Sequence, residues 1–187
     1  MNALVNPGTE PRADGAKALA HTTEQKQYLT FLLGGEMFSI DILRIKEIIW
    51  YAGLTEVPMM PACIRGVINL RGAVVPVMDL STRFGKPVTP LSKSTCIVII
   101  EVGEPGDSAG QSMGVVVDAV QAVLEIPASE IEPPPNFGAR IRSDFIEGIG
   151  KVNGKFVILL DVARVLSRSE IGALGQAVAA EIEAMAA

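Results

Sequence analysis

The side chains able to carry acid–base or nucleophilic chemistry are few and poorly placed for it. The single histidine, His21, lies in a stretch rich in Ala, Pro, Gly and charge, where nothing would orient its tautomer or hold it beside a nucleophile. Cys63 and Cys96 do not form a Cys-x-x-Cys pair and read as small core residues. No His, Cys, Asp or Glu cluster has metal-ligand spacing, and neither a phosphate-cradling Gly-x-x-x-x-Gly-Lys loop nor a strand-borne Gly-x-Gly-x-x-Gly occurs. Asp41, Glu47, Asp79, Asp118, Asp144 and Asp161 could supply a carboxylate pair, but they flank apolar runs or end turns, where capping and solvation are the ordinary roles. A hydrolase would have to work without the His21 segment. A binding module without cofactor or metal is the better reading.

Arg71 is the side chain best suited to recognition. It sits at a hairpin tip, Arg71-Gly72, and a guanidinium there presents a planar, permanently charged fork suited to a carboxylate on a partner or elsewhere in the chain. Two turns fit. One needs positive φ at both central residues and would strain Arg71 by about 1 to 2 kcal/mol; a type II turn needs it only at Gly72. A solvated surface arginine is the plain alternative.

The elements that position these residues come from a duplication. Ile64-Arg-Gly-Val-Ile-Asn-Leu-Arg-Gly-Ala-Val-Val-Pro-Val-Met-Asp-Leu80 recurs loosely as Ile146-Glu-Gly-Ile-Gly-Lys-Val-Asn-Gly-Lys-Phe-Val-Ile-Leu-Leu-Asp-Val162, pairing Gly66 with Gly148, Gly72 with Gly154 and Asp79 with Asp161. Upstream, Ser39–Ile49 aligns with Gly114–Leu124, matching Ile40, Ile42, Ile45 and Ile48 to Val115, Val117, Val120 and Val123. What the copies share is architecture, so function belongs where they differ, and Arg71 stands opposite Asn153. Asn153-Gly154 is a strong two-residue turn signal, and Asp79 and Asp161 are placed to cap the helical turns Leu80–Phe84 and Val162–Leu166.

Composition agrees with a β fold. The 187 residues are 49% hydrophobic but only 5% aromatic, so Val, Ile and Leu in short runs must build the core. Gln27–Leu33 reads as a strand entering a Gly34-Gly35 turn. Met37–Trp50 fits both strand and helix periods, and its β-branched density favours strand, twist, strand. Lys93–Val102 reads as a buried strand and Gly103–Gly110 as a surface loop. Residues 1–24 read as a disordered tail, and 167–187 as an amphipathic helix with Ile171, Leu174, Val178, Ile182 and Met185 on one face.

A formal charge of −5 argues against nucleic acid as a partner. A β-barrel that binds single strands would need a basic groove with exposed aromatics; the only adjacent pair, Trp50-Tyr51, reads first as strand-end packing. With no signal-peptide pattern and no apolar run near 18 residues, a cytoplasmic protein without membrane insertion is expected.

The run Pro61-Ala-Cys-Ile-Arg-Gly-Val-Ile-Asn-Leu-Arg-Gly-Ala-Val-Val-Pro-Val-Met-Asp-Leu80 resembles the signature of the CheW chemotaxis coupling proteins. Ser39–Ile49, Gly114–Val120 and Phe145–Lys151 fall in that family's order, so the resemblance covers about residues 27–166. It is shared with the regulatory domain of the CheA histidine kinase and with CheV-type adaptors, but no kinase or receiver segment is present. It implies a mainly β fold of two pseudo-repeated, five-stranded SH3-like barrels, about 27–90 and 93–166 within a domain at 25–166, with intertwining left open. It implies a non-catalytic scaffold or adaptor that couples chemoreceptor cytoplasmic tips to CheA in membrane-associated arrays. Carried over by position, Arg71 and Glu47 match a charged pair near the partner surface, with Ile42, Ile45, Leu54 and Gly66 as its apolar surroundings. Plain core burial is the alternative for Ile42 and Ile45. Cys63 departs from the larger apolar residue usual in the signature, and the loop at 103–110 looks long.

Overall fold

The computed structural model describes residues 25–103, 111–135, 141–167 and 184. The expected tail, most of the 103–110 loop and nearly all of the expected C-terminal helix lie outside the described residues. The chain runs β1 (Gln25–Leu33), β2 (Glu36–Asp41), β3 (Ile45–Trp50), β4 (Ile64–Leu70), β5 (Ala73–Asp79), α1 (Leu80–Arg83), β6 (Cys96–Val102), β7 (Gln111–Val117), β8 (Ala119–Pro127), β9 (Ile131–Glu132), β10 (Ile146–Val152), β11 (Lys155–Leu160) and α2 (Val162–Val165). One sheet has the order β8-β1-β2-β11-β10-β9, the other β3-β6-β7-β5-β4.

The strand, twist, strand reading of Met37–Trp50 is what forms. Asp41 accepts a hydrogen bond from the Leu43 amide at 2.9 Å and caps a 3-10 turn at Ile42–Arg44, which stops β2 and redirects the chain. That turn carries the chain out of the six-stranded sheet and into the five-stranded one; the junction between β7 and β8 carries it back. The sheets therefore are not successive halves divided near residue 90. Residues 25–41 and 119–160 build one, and 45–117 build the other. Parallel pairing of β11 with β2 and of β5 with β7 stitches each hairpin onto a strand distant in sequence.

The duplication extends to irregularities. Both long hairpins slip register at the same place, between Ile64 and Gly66 and between Ile146 and Gly148, and the slips at Ile45/Glu47 in β3 and Thr30/Phe31 against β8 also correspond. The Cys63 carbonyl accepts from the Asp79 amide and the Phe145 carbonyl from the Asp161 amide, each at 2.8 Å. Each aspartate then caps its short helix: Asp79 accepts from Ser81 at 2.9 Å, and Asp161 from Arg164 at 3.2 Å.

Each sheet closes on itself in the same way. In the five-stranded sheet the chain leaving edge strand β3 returns to edge strand β4 through Thr55, which exchanges hydrogen bonds of 3.0 and 2.9 Å with Val67. In the other sheet β9 plays that part against β10, pairing Glu132 with Ile149. This two-residue strand is why one sheet counts six strands rather than five. Inside one closure lie Val75, Val77, Ile97, Ile99 and Val116; inside the other, Tyr28, Ile126 and Leu159. The largest cluster lies between the sheets and includes Phe31, Phe38, Met78, Phe84, Val98, Val115, Phe145 and Leu160, with a run of ring contacts at 5.8 to 6.1 Å from Phe31 through Phe38 and Phe84 to Phe145. Both cysteines are buried and reduced there.

Candidate functional site

The tip of the β4–β5 hairpin holds Arg71 at φ +50 and Gly72 at φ +86, and the sister tip holds Asn153 at +49 and Gly154 at +76. The turn with positive φ at both central residues is therefore the one formed, and Arg71 carries the strain that Asn153 largely avoids. Its guanidinium donates to both carboxylate oxygens of Glu47, Nη1 to Oε1 at 2.7 Å and Nη2 to Oε2 at 2.9 Å. The register slip in β3 sets Glu47 opposite Ile99, on the face that lines the interior cluster, while Ile45 opposes Ile100 on the inter-sheet face. The pair thus spans from edge strand β3 to the hairpin of edge strand β4 across the unpaired seam of the sheet. In the second repeat the corresponding residues are Ala122 and Asn153, so this bridge belongs to one copy alone.

The apolar residues expected around the pair divide between two places. Ile42 and Ile45 are half-buried against the inter-sheet core. Leu54 is half-buried against the interior of the five-stranded sheet and lines a cavity of about 450 Å³ where β3 and β4 diverge, together with Ile49, Trp50, Thr55, Val67 and Ile68. Gly66 is buried: a Cβ there would lie 2.3 Å from the Thr55 carbonyl oxygen, at φ +154. Gly148 meets the equivalent strand, with a Cβ 2.6 Å from Ile131 Cγ2 and 3.0 Å from the Glu132 carbonyl. Gly66 therefore lets the closing strand approach and presents no side chain to a partner.

Two exposed residues were not among those expected at the partner surface. Ile48 and Trp50 alternate outward from β3, Trp50 being 69% exposed, and both line a groove of about 320 Å³ with Cys96, Ala119 and Val120 at the junction of the two sheets. Strand-end packing holds for Tyr51, which packs on the interior cluster with Arg65 over its ring at 6.0 Å, but not for Trp50. The signal was period-2 alternation, visible only once β3 is known to be a strand.

The carboxylates are occupied structurally. Asp118 accepts from the Gly34 amide at 2.8 Å, Asp144 pairs with Arg142, and Asp41, Asp79 and Asp161 are caps. The hydrogen bond from Arg142 holds Asp144 below the usual carboxylate range. Burial pushes the Cys63 and Cys96 thiols up, away from the nucleophilic thiolate. Among the described residues no group of three His, Cys, Asp or Glu could hold a metal ion, and no helix is long and apolar enough to cross a membrane.

A duplicated, interleaved β protein that presents an apolar groove beside an ordered ion pair is a binding module. The chain belongs to the CheW-like domain family, which matches residues 27–170, and hence to the chemotaxis coupling and scaffolding proteins. A chemotaxis protein CheW from Klebsiella aerogenes is 33% identical over 153 residues, spanning 82% of this chain and 89% of the relative. Protein FrzA from Myxococcus xanthus is 26% identical over 149 residues, spanning 79% and 89%. The crystal structure of the scaffolding protein TtCheW from Thermoanaerobacter tengcongensis superposes with a TM-score of 0.68 at 36% identity, covering 78% of this chain and 90% of that one.

Proposed function

We propose that this chain is a non-catalytic cytoplasmic adaptor that joins the regulatory domain of a CheA-type histidine kinase to the cytoplasmic tip of a chemoreceptor at membrane-associated arrays. The observation that carries this reading is the Arg71–Glu47 bridge, held at a strained turn beside the exposed Ile48 and Trp50. Aromatic and arginine side chains contribute disproportionately to binding energy, and an ordered charged rim fixes orientation more than it adds affinity. Leu54 is half-buried behind the rim, against the interior of the same sheet, while Ile42 and Ile45 pack against the inter-sheet core. Isothermal titration with the isolated kinase regulatory domain and with a receptor-tip fragment tests the proposal. Saturable binding of at least one at micromolar concentration is expected, and failure of both would overturn it.

A further inference from the structure

The two sheets carry equivalent rows of side chains across one end, and the rows differ in charge. In the five-stranded sheet, Ile97 and Val116 face each other on β6 and β7, Val116 pairs with Asp79 of β5, and Arg65 of β4 completes the row. In the six-stranded sheet the equivalents are Tyr28 of β1, its direct partner Asp41 of β2, Asp161 at the end of β11, and Glu147 of β10.

The first row neutralises itself. Asp79 is fully buried; its Oδ2 accepts from Arg65 Nη1 at 3.4 Å and from the Thr89 amide at 2.9 Å, while its Oδ1 accepts from Thr89 Oγ1 at 2.8 Å. The second row places three carboxylates together, with a glutamate where the first has its arginine. Beside it is a cavity of about 270 Å³ lined by Lys26, Tyr28, Ile126, Ala128, Ile131 and Glu147. Tyr28 is 1% exposed and lines that cavity, yet its hydroxyl makes no hydrogen bond to another described residue. Its ionisation is pushed up to about 12, by burial first and then by Glu147 and Asp41. Lys26 at the rim offsets part of the negative charge without a close ion pair to any of the three acids. The Tyr28 hydroxyl opens into this cavity without a partner among the described residues, and the three carboxylates of the row outnumber the one nearby lysine, so both favour a donor from outside.

From these observations we infer that the Tyr28–Glu147 cavity is a second docking site, which takes a cationic side chain of a partner protein, arginine in preference to lysine. The apolar stem of that side chain packs on Ile126, Ala128 and Ile131 while its guanidinium donates to Glu147 and the Tyr28 hydroxyl. Arg65 is the internal precedent for both halves of this arrangement, since it lies over Tyr51, the counterpart of Ile126, and donates to Asp79, the counterpart of Asp161. The site is on the other sheet from Arg71, so it is independent of the function proposed above.

The test is a nuclear magnetic resonance titration of the full chain with N-acetyl-arginine amide, using the neutral isostere N-acetyl-citrulline amide as control. Saturable shifts centred on Tyr28, Ile126, Ile131 and Glu147 are expected, with citrulline weaker by about tenfold, as for loss of a charged hydrogen bond. Glu147→Gln should weaken the arginine probe to a similar degree. Glu147→Arg, which installs the cation that the first sheet already has, should abolish binding and raise the thermal midpoint. No saturable shift, equal response to both probes, or an unchanged response in Glu147→Gln would each overturn the inference.

Discussion

Arg71 and Glu47 form a two-pronged bridge, 2.7 and 2.9 Å, between a β-hairpin tip and the opposite edge strand of the same sheet. Arg71 is largely exposed, whereas Glu47 is three-quarters covered, with side-chain exposures of 78% and 25%. The carboxylate is thus the fixed half and the guanidinium the presented half.

Replacing Arg71 by Asn, the residue of the sister turn, separates presentation from folding. An exposed ion pair is worth about 0.2 to 1 kcal/mol, and relief of the positive-φ strain offsets it. Chemical denaturation of Arg71→Asn should therefore change stability by less than about 1 kcal/mol. Calorimetric binding to the kinase domain or the receptor fragment should weaken by tenfold or more for at least one of them, as for an interface arginine. A large loss of stability would make Arg71 structural.

Gly66→Ala should destabilise the fold by about 2 kcal/mol or more, because its Cβ would meet a carbonyl oxygen of the strand that closes the sheet. Gly148→Ala should cost less, since its nearest neighbour is the end of the flexible Ile131 side chain. Urea midpoints of the two variants measure the difference, and the reverse order would mean that the second closure is the tighter one.

The two capping aspartates should also differ. Asp161→Ala removes one exposed cap, worth about 1 kcal/mol. Asp79→Ala leaves Arg65 and Thr89 facing a buried void and should cost about 3 to 5 kcal/mol, as when one partner of a buried ion pair is removed. Equal losses in thermal denaturation would show that the buried network around Asp79 adds nothing beyond the cap.

Glu147 gives a pH signature. Burial first, and then Asp161 and Asp41, raise its pKa above the usual carboxylate value, with Lys26 opposing. A carboxylate raised on folding holds its proton more tightly in the native state. Its contribution to stability is complete below the unfolded-state value and is lost as pH rises through the native one. Glu147→Gln should therefore raise the thermal midpoint at pH 7 relative to the parent, and the gain should shrink towards zero near pH 4. A pH-independent difference would mean that Glu147 is not the titrating group.

Local chemistry was readable without coordinates. Asn153-Gly154, the Asp79 and Asp161 caps, a twist somewhere within Met37–Trp50 and the equivalence of Gly66 with Gly148 depend on neighbours a few residues away, and the amino acids there have narrow conformational preferences. The exposure of Trp50 was not readable, because Met37–Trp50 fits two periods and only pairing with β6 fixes which residues face outward. The division of Ile42 and Ile45 from Leu54 was hidden for a related reason: they pack on different clusters, on either side of a sheet whose register slips at Ile45/Glu47.

By itself, the sequence determined that the chain is a duplicated β protein of the CheW-like family, that its hairpins turn at Arg71-Gly72 and Asn153-Gly154, and that Arg71 marks where the copies diverge. Only the tertiary structure decided that the copies exchange strands, that Arg71 spends its charge on Glu47 across a seam, and that Glu147 stands where its counterpart is Arg65. The physical reason is range. Turns and caps are set by the dihedral preferences of adjacent residues, whereas pairing between β2 and β11, or between Arg71 and a carboxylate 24 positions away, is selected by burial and charge across the whole fold.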